Sequence, residues 1–183
     1  MRPPIGLKFW KPRIRKLRIQ QRLTWVREGY TILKPLEHGE DPLDRGKKFR
    51  FLDHTADLGI LVYGRDLEEL FTNAGEAFFD IITDLQRVRE STERVIRVES
   101  PNLEDLMVQW LGELLYVHDV DSLLFRSFSI DELRDGSLKA RARGEAFDEK
   151  RHVIKTEIKA VTYHQIQVKK EKGRWRARII FDL

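Results

Sequence analysis

Two segments of helical periodicity, followed by a run of strand patterns, set the tightest limit on what this chain can fold into. Asp66-Leu-Glu-Glu69 places an N-cap acid three residues ahead of a glutamate, and Leu67, Leu70, Phe71, Ala74, Phe78, Ile81, Ile82 and Leu85 follow at helical spacing. Asn102 stands in the same relation to Leu103, Leu106, Met107, Trp110, Leu111, Leu114 and Leu115. Each predicted helix has one apolar stripe and one wet face, so each needs a surface to pack on. Strand patterns supply it: 49–53 and 58–63 before the first helix, 95–98 between the two, and 123–130, 138–147, 157–163, 165–170 and 174–182 after the second. The last of these alternates, with Trp175, Ala177, Ile179 and Phe181 on one face and Arg174, Arg176, Arg178, Ile180 and Asp182 on the other, which predicts a core face and a largely solvated face. The expected fold is α+β, a single small domain with two amphipathic helices packed on an antiparallel or mixed β-sheet.

That domain is expected to span 49–183. Residues 1–48 read as a basic, proline-containing extension and linker. The net charge of +4 conceals the division: residues 1–50 carry 14 Lys and Arg against 5 Asp and Glu, whereas residues 51–183 carry 20 against 25. Five of the six prolines also fall in the first fifty residues. Around Arg13–Trp25, the residues Ile14, Leu17, Leu23 and Val26 have the spacing of a short amphipathic helix. The extension fits three readings: a disordered tail, a nucleic-acid tether that combines basic side chains with Trp10 and Trp25, or a helix lying on a membrane surface.

The chain has no cysteine, which removes disulfides, thiol nucleophiles, zinc ribbons and iron–sulfur clusters and leaves oxygen or imidazole as metal ligands. It lacks a membrane-length apolar run and a signal-peptide core, so a cytoplasmic protein without a membrane partner is expected. The phosphate-loop, dinucleotide, zinc-protease and serine-hydrolase motifs are missing as well.

What remains is polar residues at strand ends. His54-Thr-Ala-Asp57 lies between two early strands, and Asp182-Leu183 follows the last one. Asp182, the Leu183 carbonyl and the terminal carboxylate are hard oxygen ligands suited to Ca²⁺ or Mg²⁺, and Asp57 completes such a site if the last strand lies beside the first turn. A turn aspartate can equally bond nearby backbone amides. Lys159, within the 157–163 strand and on the same face as Tyr163, and His164, at its end, have the chemistry for phosphate binding or acid–base work, or serve as a solvated strand lysine and a turn histidine. His118 reads as a cap at the negative end of the second helix, and Trp110 and Trp175 as core residues.

Read together, these residues resemble the archease family. Phe51-Leu-Asp-His-Thr-Ala-Asp-Leu-Gly59 with Tyr63-Gly-Arg-Asp-Leu-Glu-Glu-Leu-Phe71 resembles its N-terminal signature, Thr156-Glu-Ile-Lys-Ala-Val-Thr-Tyr-His164 its second, and Phe181-Asp-Leu183 its ending. The resemblance implies a small α+β fold and a protein cofactor, not an enzyme in its own right. Its implied partner is the GTP-dependent tRNA-splicing RNA ligase of the RtcB type, whose guanylylation and multiple turnover such proteins promote, with a broadened choice of nucleotide. It implies a divalent cation, calcium with magnesium as the alternative, on Asp57, Asp182 and the main chain of Leu183. It assigns a functional role to Lys159, beside which His54 and His164 stand as further ligase-activation candidates. RNA is contacted only indirectly or through the N-terminal tail. A general chaperone of RNA-processing enzymes and a tail-driven RNA binder are the alternative functions.

Overall fold

Helix α1, Leu67–Ile82, begins where its cap predicts: the Glu69 amide donates to Asp66 Oδ1 at 2.7 Å, while Glu69 Oε2 reaches back to the Arg65 amide at 2.5 Å. Helix α2, Leu103–Asp121, begins likewise, with the Asp105 amide on Asn102 Oδ1 at 2.8 Å. The computed structural model describes the backbone of residues 17–19, 22–27 and 30–33, and backbone and side chains of residues 46–52, 58–134 and 136–183.

The expected sheet is divided in two. The first is antiparallel, with strands β4 (Phe49–Leu52), β5 (Leu58–Gly64), β9 (Ala160–Glu171) and β10 (Arg174–Asp182) in the order β4-β5-β10-β9. The second joins β6 (Thr92–Glu99), β7 (Leu123–Arg134) and β8 (Ser137–Ala146) as an antiparallel sheet in the order β6-β8-β7. Both helices bury their stripes in one continuous core drawn from the two sheets. Trp110 is fully buried there, and its indole N–H donates to the Phe71 carbonyl at 3.1 Å, tying α2 to α1. Phe78, Phe79, Phe125, Phe128 and Phe181 fill the same core at ring-centroid distances of 5.3–6.3 Å.

Tight turns fix the registers. β9 and β10 meet through Lys172 and Gly173 at φ 51° and 83°, both left-handed, as a two-residue hairpin loop requires. Gly136, between β7 and β8, has φ 75°, and a side chain there would drive into the Ser100 carbonyl.

Four expectations are corrected. Residues 17–19 and 22–25 of the predicted N-terminal helix are strand: β1 (Leu17–Ile19), β2 (Arg22–Arg27) and β3 (Tyr30–Leu33) form an antiparallel sheet in that order. Thr24, Trp25, Val26, Tyr30, Thr31 and Ile32 are β-branched or aromatic and favour the extended chain. The segments 157–163 and 165–170 are not two strands. β9 runs through both, and Glu157–Lys159 precede it. His164 therefore lies inside a strand and does not end one. Ile180, placed on the wet face, is 1% exposed, because that face carries its own apolar residues, Leu52, Leu61 and Tyr63. Among the described residues, no helix is long and apolar enough to cross a membrane.

Candidate functional site

The second signature and the ending are brought together by the β9–β10 ladder. Asp182 pairs with Ala160 and Phe181 with Val161, and the Lys159 amide donates to the Asp182 carbonyl at 2.9 Å. This contact extends the ladder one residue beyond β9. It turns the Lys159 side chain so that Nζ donates to the Leu183 carbonyl oxygen at 2.8 Å. Asp182, Leu183 and Lys159 are all exposed. Below them, Phe181 is fully buried against Phe78 at 5.7 Å and Ile180 is buried on the opposite face, so an exposed end stands on a fixed base.

On the other side of β10, Leu58 pairs with Phe181. The register thus brings the residue that follows Asp57 in sequence next to the end of β10. Asp57 and His54 themselves lie outside the described residues. Asp182 and Leu183 supply hard oxygens of the kind a Ca²⁺ or Mg²⁺ ion takes, with the Lys159 ammonium already on one of them. Among the described residues, no group of three or more His, Asp or Glu side chains converges as a metal site.

Not every predicted residue joins this end. His164 lies farther along β9, exposed, where the β9–β10 register is interrupted. His118 bonds through Nδ1 to the Leu123 carbonyl at 2.9 Å, across the left-handed Ser122 that ends α2. His118 thus stands in the last turn of α2 and not beyond it, and ties the helix end to the first residue of β7 instead of capping a helix carbonyl. Trp175 is partly buried against the core.

Two features were not foreseen. A surface cavity of about 490 Å³ opens beside Lys159, lined by His118, Asp119, Ser122, Phe147, Ile154, Glu157 and Ile158 as well as the lysine. The second is a buried polar cluster. Glu145, 8% exposed, accepts from the Arg151 guanidinium, from the Arg89 amide at 2.6 Å and from His152 Nε2 at 3.1 Å. Burial by itself pushes the Glu145 carboxyl up, but the Arg151, Arg89 and His152 donors outweigh it and bring it down to about 2. His152 Nδ1 accepts from the Asp148 amide at 3.0 Å, which leaves its proton on Nε2, facing Glu145. No sequence signal marks either feature, because both join a turn to elements that only tertiary packing brings near.

Comparison with known proteins adds the following. The model of the archease protein family matches residues 49–183. A Methanosarcina mazei protein archease is 44% identical over 143 residues, covering 76% of this chain and 98% of its own length. A Pyrococcus abyssi protein archease is 40% identical over 141 residues, covering 75% of this chain and 99% of its own. The solution structure of a Methanobacterium thermoautotrophicum protein superposes with a TM-score of 0.64 at 40% identity, over 74% of this chain and 99% of that one. The crystal structure of a Thermotoga maritima archease, described as a possible chaperone, reaches 0.50 at 19% identity, over 81% of this chain and 100% of that one, a likeness of fold alone.

Proposed function

The chain belongs to the archease family through residues 49–183, and from that premise we propose that it is a protein cofactor of the RtcB-type tRNA-splicing RNA ligase, promoting the ligase's guanylylation and turnover. The observation that carries this reading is the meeting of two separate signatures at one sheet end, where Lys159 holds the Leu183 carbonyl oxygen at 2.8 Å and the Asp182 carbonyl at 2.9 Å. An exposed ammonium and an exposed carboxylate on a rigid base suit a surface that must fit a second protein's reaction centre without doing the chemistry itself.

In this reading Asp57, Asp182 and the Leu183 main-chain oxygen hold a divalent cation, calcium in the first instance. Once bound, such an ion neutralises phosphate charge next to the ligase. The residues of this chain do the positioning. Asp182 presents its carboxylate from the end of β10. Lys159 orients the Leu183 carbonyl and presents a positive charge to a phosphate or to an acidic ligase residue. His54 and His164 are further contact candidates. Cytoplasmic tRNA processing is the setting.

The test is single-turnover transfer of label from GTP to the ligase. Lys159→Ala and Asp182→Ala should keep the wild-type circular dichroism and lose stimulation by at least ~10-fold, a barrier difference of about 1.4 kcal/mol. Folded variants that stimulate as well as wild type overturn the proposal.

A second reading, a chaperone for RNA-processing enzymes, draws on the description of the Thermotoga maritima relative as a possible chaperone. It predicts protection of the ligase from thermal aggregation without nucleotide, with Asp182→Ala as effective as wild type.

A further inference from the structure

Strand β9 carries an irregularity that the site described so far does not use. Thr162 pairs with Ile180 and Gln167 with Arg178, so Tyr163, His164, Gln165 and Ile166 stand opposite the single residue Ile179. A bulge usually adds one residue. Ile166 returns to pack on the core, leaving Tyr163, His164 and Gln165 outside, with Tyr163 55% exposed. Gln165 has φ 55°, a left-handed conformation that costs an ordinary L residue about 1 kcal/mol or more. Among the described residues, no side-chain hydrogen bond, ion pair or ring contact engages Tyr163 or His164. A strained bulge that exposes an aromatic ring is the kind of local feature that functional surfaces retain.

Its position gives that feature a direction. Tyr163 lies four residues beyond Lys159, about 13 Å along an extended strand. It therefore belongs to the same end of the molecule as the Lys159–Asp182–Leu183 group, on a rigid β-strand. Tyrosine is among the side chains that most often anchor protein interfaces, since a large ring with one polar tip loses little freedom on burial. Residues 51–183 carry 20 basic against 25 acidic side chains, which disfavours a polyanion and favours a protein.

We infer that the Tyr163–Gln165 bulge is a docking knob for the protein partner on which the Lys159 end acts. The Tyr163 ring enters an apolar slot on the partner, with an acceptor at its floor for the hydroxyl, and His164 lies at the rim. This rests on the ligase reading above. It assigns affinity to the bulge and activation to Lys159 and Asp182.

The experiment measures the Kd of the full-length chain for the RtcB-type ligase beside stimulation at saturating chain. Tyr163→Ala should melt with wild type and weaken Kd about 30-fold, the size of an interface anchor. Its stimulation at saturation should be intact. Tyr163→Phe should recover most of the affinity, and Lys159→Ala should fail to stimulate even at saturating chain. If wild type binds and stimulates but Tyr163→Ala and His164→Ala bind equally well, the docking inference is overturned and the ligase reading stands. If wild type neither binds nor stimulates the ligase, both fall. If Tyr163→Ala instead weakens binding of single-stranded RNA and leaves ligase affinity unchanged, the bulge is a base-stacking site and the inference is overturned.

Discussion

Glu145 shows how one side chain can hold a segment of backbone. Its carboxylate collects the Arg151 guanidinium, the Arg89 amide and the His152 ring, three groups from two different loops. Replacing it by Gln leaves these donors facing a neutral amide, so Glu145→Gln should cost about 2 kcal/mol. The melting temperature should fall by about 6 °C in a thermal scan. Because the folded carboxyl is held down to about 2 from its ordinary 4.5, its contribution is fully present above about pH 4.5. It is lost as pH falls from there towards 2, and acid unfolding of Glu145→Gln should show a correspondingly weaker pH dependence over that window. The helix caps at Asp66 and Asn102 were legible in the sequence because a cap is a local pattern of three or four residues. The Glu145 cluster was not, since Arg89 and Glu145 are joined only by the folded chain.

At the level of elements, β9 separates what periodicity can express from what it cannot. An alternating pattern broken at His164 reads as two strands with a turn between them. The ladder to β10 keeps it one strand and pushes the extra residues outward. The bulge makes its own prediction. Gln165→Gly removes the penalty at φ 55°, offset in part by glycine's greater freedom when unfolded, so the melting temperature should rise by up to about 3 °C. A fall would show that the Gln165 side chain stabilises the turn. The candidate site was legible in part for the same kind of reason. Asp182 ends a strand whose alternation was readable, and Leu183 follows it; Lys159, expected inside a strand, precedes β9, and the cavity formed by His118, Phe147 and Ile158 exists only where the end of α2 meets that segment. The N-terminal segment misled because four apolar residues spaced through a basic stretch suit a helix, while its β-branched and aromatic residues favour strands.

For the molecule as a whole, relatives matched over 98–99% of their own length correspond to about three quarters of this chain. The part from Lys47 onwards should therefore fold without residues 1–46. A chain starting at Lys47 should give cooperative thermal unfolding and the same stimulation of the ligase as the full chain. It should lose whatever steeply salt-dependent RNA affinity the full chain has, because the basic excess lies in the removed segment. Non-cooperative melting would show that the extension is part of the domain.

The position of β10 bears on how the protein comes to function in time. It lies between β5 and β9, and its pairing of Phe181 with Leu58 joins residues 123 positions apart in the sequence. Contacts that distant close late in folding, because the entropy of a long loop must be overcome before they form. The β9–β10 hairpin, with Lys159, Asp182 and the bulge, closes locally through its two-residue turn, so the distant contact adds the other neighbour of β10, Leu58 beside Phe181. A nascent or partly unfolded chain would therefore carry this hairpin without Leu58 beside it, and the two sides of the proposed site would meet only once β5 has paired with β10.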